Sequence, residues 1–104
     1  ATVGLFENYL KDCSERKIQV FLVNSPVFYR ATQKLIDKDK MNSYFNTVAR
    51  KYGHVYLDYT QHLICNDSTN FVVAVHLNEV GAKKFSRILT NDLDSLYNLK
   101  TQLQ

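Results

Sequence analysis

The sequence predicts an α/β fold of the three-layer αβα kind, incomplete, with two or three parallel strands between flanking helices. Three observations carry that reading. Residues 18–23, Ile-Gln-Val-Phe-Leu-Val, are almost continuously apolar and rich in β-branched side chains. Such a run reads as a strand covered on both faces, as in a parallel sheet. Apolar positions at helical spacing stand before and after it, and a second strand-like run, His54–Tyr59, follows. Helix, strand, helix, strand, loop, helix is the order such folds use.

The first helix rests on Leu5, Phe6, Tyr9, Leu10 and Cys13, one apolar stripe of about three turns. Polar Ser14-Glu15-Arg16-Lys17 ends it. Asn24-Ser25-Pro26 stops the strand, since proline cannot donate to a sheet ladder. Helical spacing resumes from Tyr29 to Tyr52. Leu35 and Ile36 form a first apolar patch, and Asp37-Lys38-Asp39-Lys40 is a solvated bend. Met41, Tyr44, Phe45, Val48, Ala49 and Tyr52 make a 3.6-period core stripe, with Gly53 as the C-terminal stop.

After the strand at His54–Tyr59, residues 60–70 read as a long polar loop of the kind that carries function. Asn78 is the predicted N-cap of a last helix bearing Ala82, Phe85, Ile88, Leu89, Leu93 and Leu96, with Leu77 and Ala82 at the staple positions. The tail from Asn98 to Gln104 is polar and expected to fray. Two parallel strands are too few for a stable buried sheet. Either Phe71–Val75 supplies a third, or the sheet is completed by residues outside this chain, or by a second copy.

With 104 residues the chain is read as one partial domain, 1–104. Its 45% hydrophobic and 22% charged content is that of a folded chain, not a disordered one. The net charge of +3 is mild, and lysines and arginines alternate with acids along helix faces. That pattern argues against a nucleic-acid footprint. No segment is long and apolar enough for a membrane span, and no signal peptide is expected. Cys13 and Cys65 are too few and too far apart for a metal site or a disulfide framework. Cys13 reads as a small buried hydrophobe and Cys65 as a free loop thiol. His54 and His62 have no partners at metal-ligand spacing and read as a strand-start and a loop residue. Asn66-Asp67-Ser68 matches a short glycosylation sequon.

The stretch His76-Leu77-Asn78-x-x-Gly81-Ala82-x-x-Phe85-Ser86 resembles the last block of the SGNH (GDSL-type) hydrolases, and is closest to SGNH-like proteins of bacterial cell envelopes. Val20–Pro26 resembles the late core strand of that family. Val55–Tyr59 resembles its last strand, and Asn66-Asp67 with Asn70-Phe71 the approach to its catalytic loop. The resemblance spans most of residues 5–97, the C-terminal half of a typical member, and implies a flavodoxin-like architecture. It also implies ester hydrolysis or acyl transfer on an acylated carbohydrate or small ester, without metal or organic cofactor, in the cell envelope or outside the cytoplasm.

In that family an Asp and a His three residues apart serve a serine nucleophile. The His takes the hydroxyl proton, and the Asp holds the imidazole in one tautomer. The match makes His76 the general base. The acid position falls on Val73, and no Gly-Asp-Ser-type turn stands in the chain. Asp58, at the carboxyl end of the second strand, is the alternative acid, and Asp67 a weaker one. Three expectations follow. The chain is the C-terminal part of an esterase or acyltransferase, inactive as it stands. Alternatively, it is a non-catalytic glycan- or protein-binding or assembly module on a degenerate site. In either case the strand at Ile18–Val23 exposes an edge through which the chain self-associates.

Overall fold

Two units divide the chain in the computed structural model, which describes residues 2–32 and 37–103. One unit is Ala1–Ser25 with Lys34–Tyr59, and the other is Pro26–Gln33 with Thr60–Gln104. The fold is mixed helix and strand with a small parallel sheet.

In the first unit, helix α1 (Thr2–Glu15) sinks Leu10 and Cys13 into the core. Full burial of a leucine contributes about 1.5–3 kcal/mol. Phe6, one turn earlier, meets Phe45 edge to face at 5.8 Å. The helix ends where Lys17 takes a left-handed conformation, φ 60°. Its N–H donates to Ser14 O (3.0 Å) and the Ile18 N–H donates to Cys13 O (2.8 Å). Those two bonds form a Schellman motif, which satisfies carbonyls the helix would otherwise leave open.

Strand β1 is Phe21–Asn24, shorter at its start than the predicted Ile18–Val23. The cause is local. Ile18 is spent on the helix stop, and the Val20 N–H is taken by the His54 ring. Strand β2 (Val55–Asp58) lies parallel to β1, with Phe21 opposite Val55 and Asn24 opposite Asp58. The expected two-sided burial of β1 does not appear: its residues are half-buried and Val23 is 39% exposed. A two-stranded sheet has too little cover for that.

The long helical stretch divides into α2 (Tyr29–Thr32) and α3 (Lys38–Lys51). Of the interruption expected at Asp37–Lys40, only Asp37 departs from the helix, in a left-handed conformation at the entry to α3, while Lys38, Asp39 and Lys40 already belong to it. The apolar patch at Leu35 and Ile36 lies outside the described residues. Along α3 the predicted stripe buries Val48 and Ala49, while Met41 at its start is 47% exposed. Gly53 ends the helix at φ 78°, donating to Arg50 O (3.1 Å), and the His54 N–H reaches Ala49 O (2.7 Å). This second Schellman stop uses the residue best suited to it.

His54 stands immediately before β2, where a strand-start residue is expected, and it is buried. It is 5% exposed, its Nε2 donates to Leu10 O (2.8 Å), and its Nδ1 accepts from the Val20 N–H (3.1 Å). A carbonyl only accepts and an amide only donates, so the two bonds fix the neutral ring with its proton on Nε2.

In the second unit, the predicted loop at 60–70 is wound into two 3₁₀ turns, Leu63–Asn66 and Ser68–Asn70. The His62 ring caps the first through the Ile64 N–H (3.1 Å), and the Asp67 carboxylate caps the second through the Thr69 N–H (2.9 Å). This winding buries Ile64, Cys65 and Asn70, so the unbridged Cys65 thiol lies within a 3₁₀ turn and away from solvent. Phe71–Val75 does not extend the parallel sheet. Strand β3 (Phe71–Val73) turns at Ala74-Val75 and pairs antiparallel with β4 (His76–Leu77) in a sheet of its own. Helix α4 (Glu79–Leu103) follows, with Phe85, Ile88, Leu89, Leu93 and Leu96 half-buried. It continues helical through the tail expected to fray, and Gln104 lies outside the described residues. Ala82, predicted to staple against Leu77, is exposed.

Candidate functional site

The histidine block is held by a clamp of backbone and amide groups. Asn78 donates its N–H to Asn70 O (2.9 Å) and its Nδ2 to Thr69 O (2.7 Å), while its Oδ1 accepts from the Gly81 N–H (2.8 Å). The last bond is the predicted N-cap of α4. Gly81 sits so close to Asn70 that a Cβ there would overlap the Asn70 carbonyl. Asn78 and Gly81 therefore earn their places by docking the helix start on the 3₁₀ turn, which fixes where β4 begins.

His76 stands at the start of β4 and is exposed. Its cross-strand partner is Val73. The two residues three apart are backbone partners across the turn, next to an irregularity in the register, and a valine there can neither accept an imidazole N–H nor stabilise its charge. The turn is braced by the Phe28 N–H, which donates to Ala74 O (2.7 Å), and by the Phe28 ring, tilted on Phe71 at 5.8 Å. Val72, Val73 and Val75 stay 71%, 53% and 49% exposed.

Neither Asp58 nor Asp67 belongs to the hairpin's strands. Asp67, on the surface of the same unit, is occupied with Thr69: its Oδ1 takes both the N–H and the hydroxyl (2.7 Å). Those bonds, with the Lys84 charge adding to them, hold its carboxyl below the usual aspartate range.

Asp58 belongs to the other unit, at the carboxyl edge of the parallel pair. There it ends a hydrogen-bonded chain that sequence reasoning missed. Asn24 Nδ2 donates to the Tyr56 hydroxyl (3.3 Å), Tyr56 donates to Asn42 Oδ1, and Asn42 Nδ2 donates to Asp58 Oδ2 (3.0 Å). Burial, the largest cause, pushes the Tyr56 hydroxyl upward; the Asn24 bond opposes this and the Asp58 charge adds to it. Beside the chain lies an apolar cavity of about 210 Å³, with Phe6, Leu22, Met41, Phe45 and Tyr56 among its walls. Carboxyl edges of parallel strands are where open α/β sheets place ligands. The one signal in the sequence was polar Asn24 and Asp58 at the ends of two apolar runs.

Cys13 and Cys65 are both buried, and no group of three or more His, Cys, Asp or Glu side chains that could hold a metal stands among the described residues. No helix of the described residues is long and apolar enough to cross a membrane. Compared with protein-family models, curated proteins and solved structures, the chain matches none.

Proposed function

We propose that this chain is the C-terminal half of an SGNH-like, flavodoxin-type αβα domain that keeps the family's histidine block as a scaffold and works as a non-catalytic binding module, with a glycan or a partner protein as its ligand. The observation that carries the reading is Val73 opposite His76. An acid-histidine relay needs a carboxylate where that valine stands. The Asn78 and Gly81 clamp fits a non-catalytic module, since it gives those positions of the block a structural role that survives without catalysis. The incomplete sheet fits as well. Val20 and Asn24 direct their carbonyls at β2, so by strand alternation Phe21 and Val23 turn theirs to the outer edge of β1. Earlier strands of such a domain pair at that edge, and in their absence a second copy would.

The test is hydrolysis of a chromogenic acetyl ester by the chain, alone and joined to whatever native sequence precedes Ala1. The expected result is no turnover above buffer in either protein. Turnover that His76→Ala abolishes would sink the non-catalytic reading and restore the esterase. Turnover that appears only in Val73→Asp supports it, because the rest of the site is then intact and the valine is what silences it.

A further inference from the structure

We infer that the cavity at the carboxyl edge of the parallel pair is a binding site for a small aromatic molecule carrying one hydrogen-bond donor, such as a benzyl or phenyl alcohol or amide. This goes beyond the reading of the histidine hairpin and does not rest on it, since every residue involved belongs to the first unit.

Size sets the first limit. An enclosed apolar cavity of about 150 Å³ holds benzene; this pocket, about 210 Å³ and open to solvent on one side, has room for one ring with a short polar arm. Drug-sized ligands need pockets above about 300 Å³. The walls favour a ring. Phe6 stands edge to face on Phe45 at 5.8 Å, and Phe45 tilts 30° from Tyr56 at 5.9 Å. A ring entering between such side chains finds edges and faces to pair with.

Polarity sets the second limit. Along the chain from Asn24 through Tyr56 and Asn42 to Asp58, every hydrogen bond points the same way, donor toward the carboxylate. That direction leaves an acceptor at the opposite end. Among the described residues, Asn24 Oδ1 takes no hydrogen bond, and Asn24 lines the cavity. A ligand satisfying it must donate. Hence the class: aromatic, with an O–H or N–H one or two atoms from the ring.

Benzyl alcohol and toluene, titrated separately into the ¹⁵N-labelled chain, test this by NMR. Benzyl alcohol should give saturable shifts at the Asn24 and Asn42 side-chain amides, with a dissociation constant of about 1 mM. Leu22→Phe, which fills the cavity, should remove those shifts. Met41→Trp at the exposed rim does the same job if the first variant does not fold. Asn24→Ala should weaken benzyl alcohol about five- to tenfold and leave toluene unweakened. Absence of saturation up to about 10 mM, or unchanged binding in both filled variants, would overturn the site. Equal effects of Asn24→Ala on the two ligands would overturn the donor requirement. Shifts at the same amides that follow protein concentration, with no alcohol present, would give the cavity to a second copy and overturn the proposal.

Discussion

Gly81 and the Asn70 carbonyl lie too close for any side chain to stand between them. The contact explains why the helix of the histidine block carries a glycine three residues after its cap. Glycine in a helix interior costs about 1 kcal/mol against alanine, and here no alternative fits. Gly81→Ala should reverse the usual sign. The added methyl pushes on the carbonyl that also accepts from Asn78, so strain is joined by a weakened bond. A loss of about 2–3 kcal/mol is expected, read as a lower urea midpoint at unchanged slope. A variant as stable as the parent would refute the close docking of α4 on the 3₁₀ turn.

His54 joins three parts of the first unit that are far apart in sequence: the Leu10 carbonyl in α1, the Val20 amide at the entry to β1, and its own place at the stop of α3. His54→Ala leaves the Val20 N–H unpartnered in a half-buried place and opens space beside Leu10. A buried group left unsatisfied costs about 1–3 kcal/mol and the cavity adds to it. The expected loss is about 2–4 kcal/mol in chemical unfolding. Long-range ¹⁵N spectra of the parent should show the proton on Nε2; a proton on Nδ1 contradicts the geometry.

Much of this architecture was legible because the β-branched run before Asn24 and the stripe on α3 are unambiguous at their own periods. Not every boundary was. The stop of α1 at Ser14–Lys17 was legible, but β1 starts late because Ile18 is held by that stop and the Val20 N–H by the His54 ring, which no residue pattern marks. The hairpin at β3 and β4 was invisible for a related reason: Ala74-Val75 carries no Asn, Asp or Gly turn signal. Five apolar residues without a turn residue read as one strand. What bends them is tertiary, the Phe28 amide on Ala74 and the Asn78 clamp on Asn70. The chain from Asn24 to Asp58 was hidden because its members come from three elements and none forms a motif in sequence. At the histidine block the resemblance identified His76, and Val73 was legible as its neighbour in spacing. Only the backbone pairing makes them cross-strand partners.

Lys17 pays a conformational cost at its left-handed position that glycine would not. Its side chain is exposed, and the two bonds of the motif are made by backbone alone. Lys17→Gly should therefore stabilise the chain by about 0.5–1 kcal/mol, after the greater freedom glycine brings to the unfolded state is counted. Thermal unfolding of the pair of proteins reads the sign. A lower melting temperature in the glycine variant would mean that Lys17 does not hold this conformation.

Tyr56 sits mid-chain between Asn24 and Asn42, and its hydroxyl is driven above the ordinary tyrosine value chiefly by burial. Folding thus favours its protonated form. A group whose proton affinity is raised on folding contributes stability that is whole below its unfolded value, and loses it as pH rises through its folded value. The unfolding free energy should therefore fall in the alkaline range above about pH 10, and part of that fall should vanish in Tyr56→Phe. At neutral pH the same variant should lose about 1 kcal/mol, since Asn24 and Asn42 each lose a partner at the edge of solvent. Unfolding curves for both proteins at neutral pH and above pH 10 separate the two effects. Parallel pH dependence of parent and variant would refute the half-buried, hydrogen-bonded placement of this hydroxyl and, with it, the ordered run of bonds from Asn24 to Asp58.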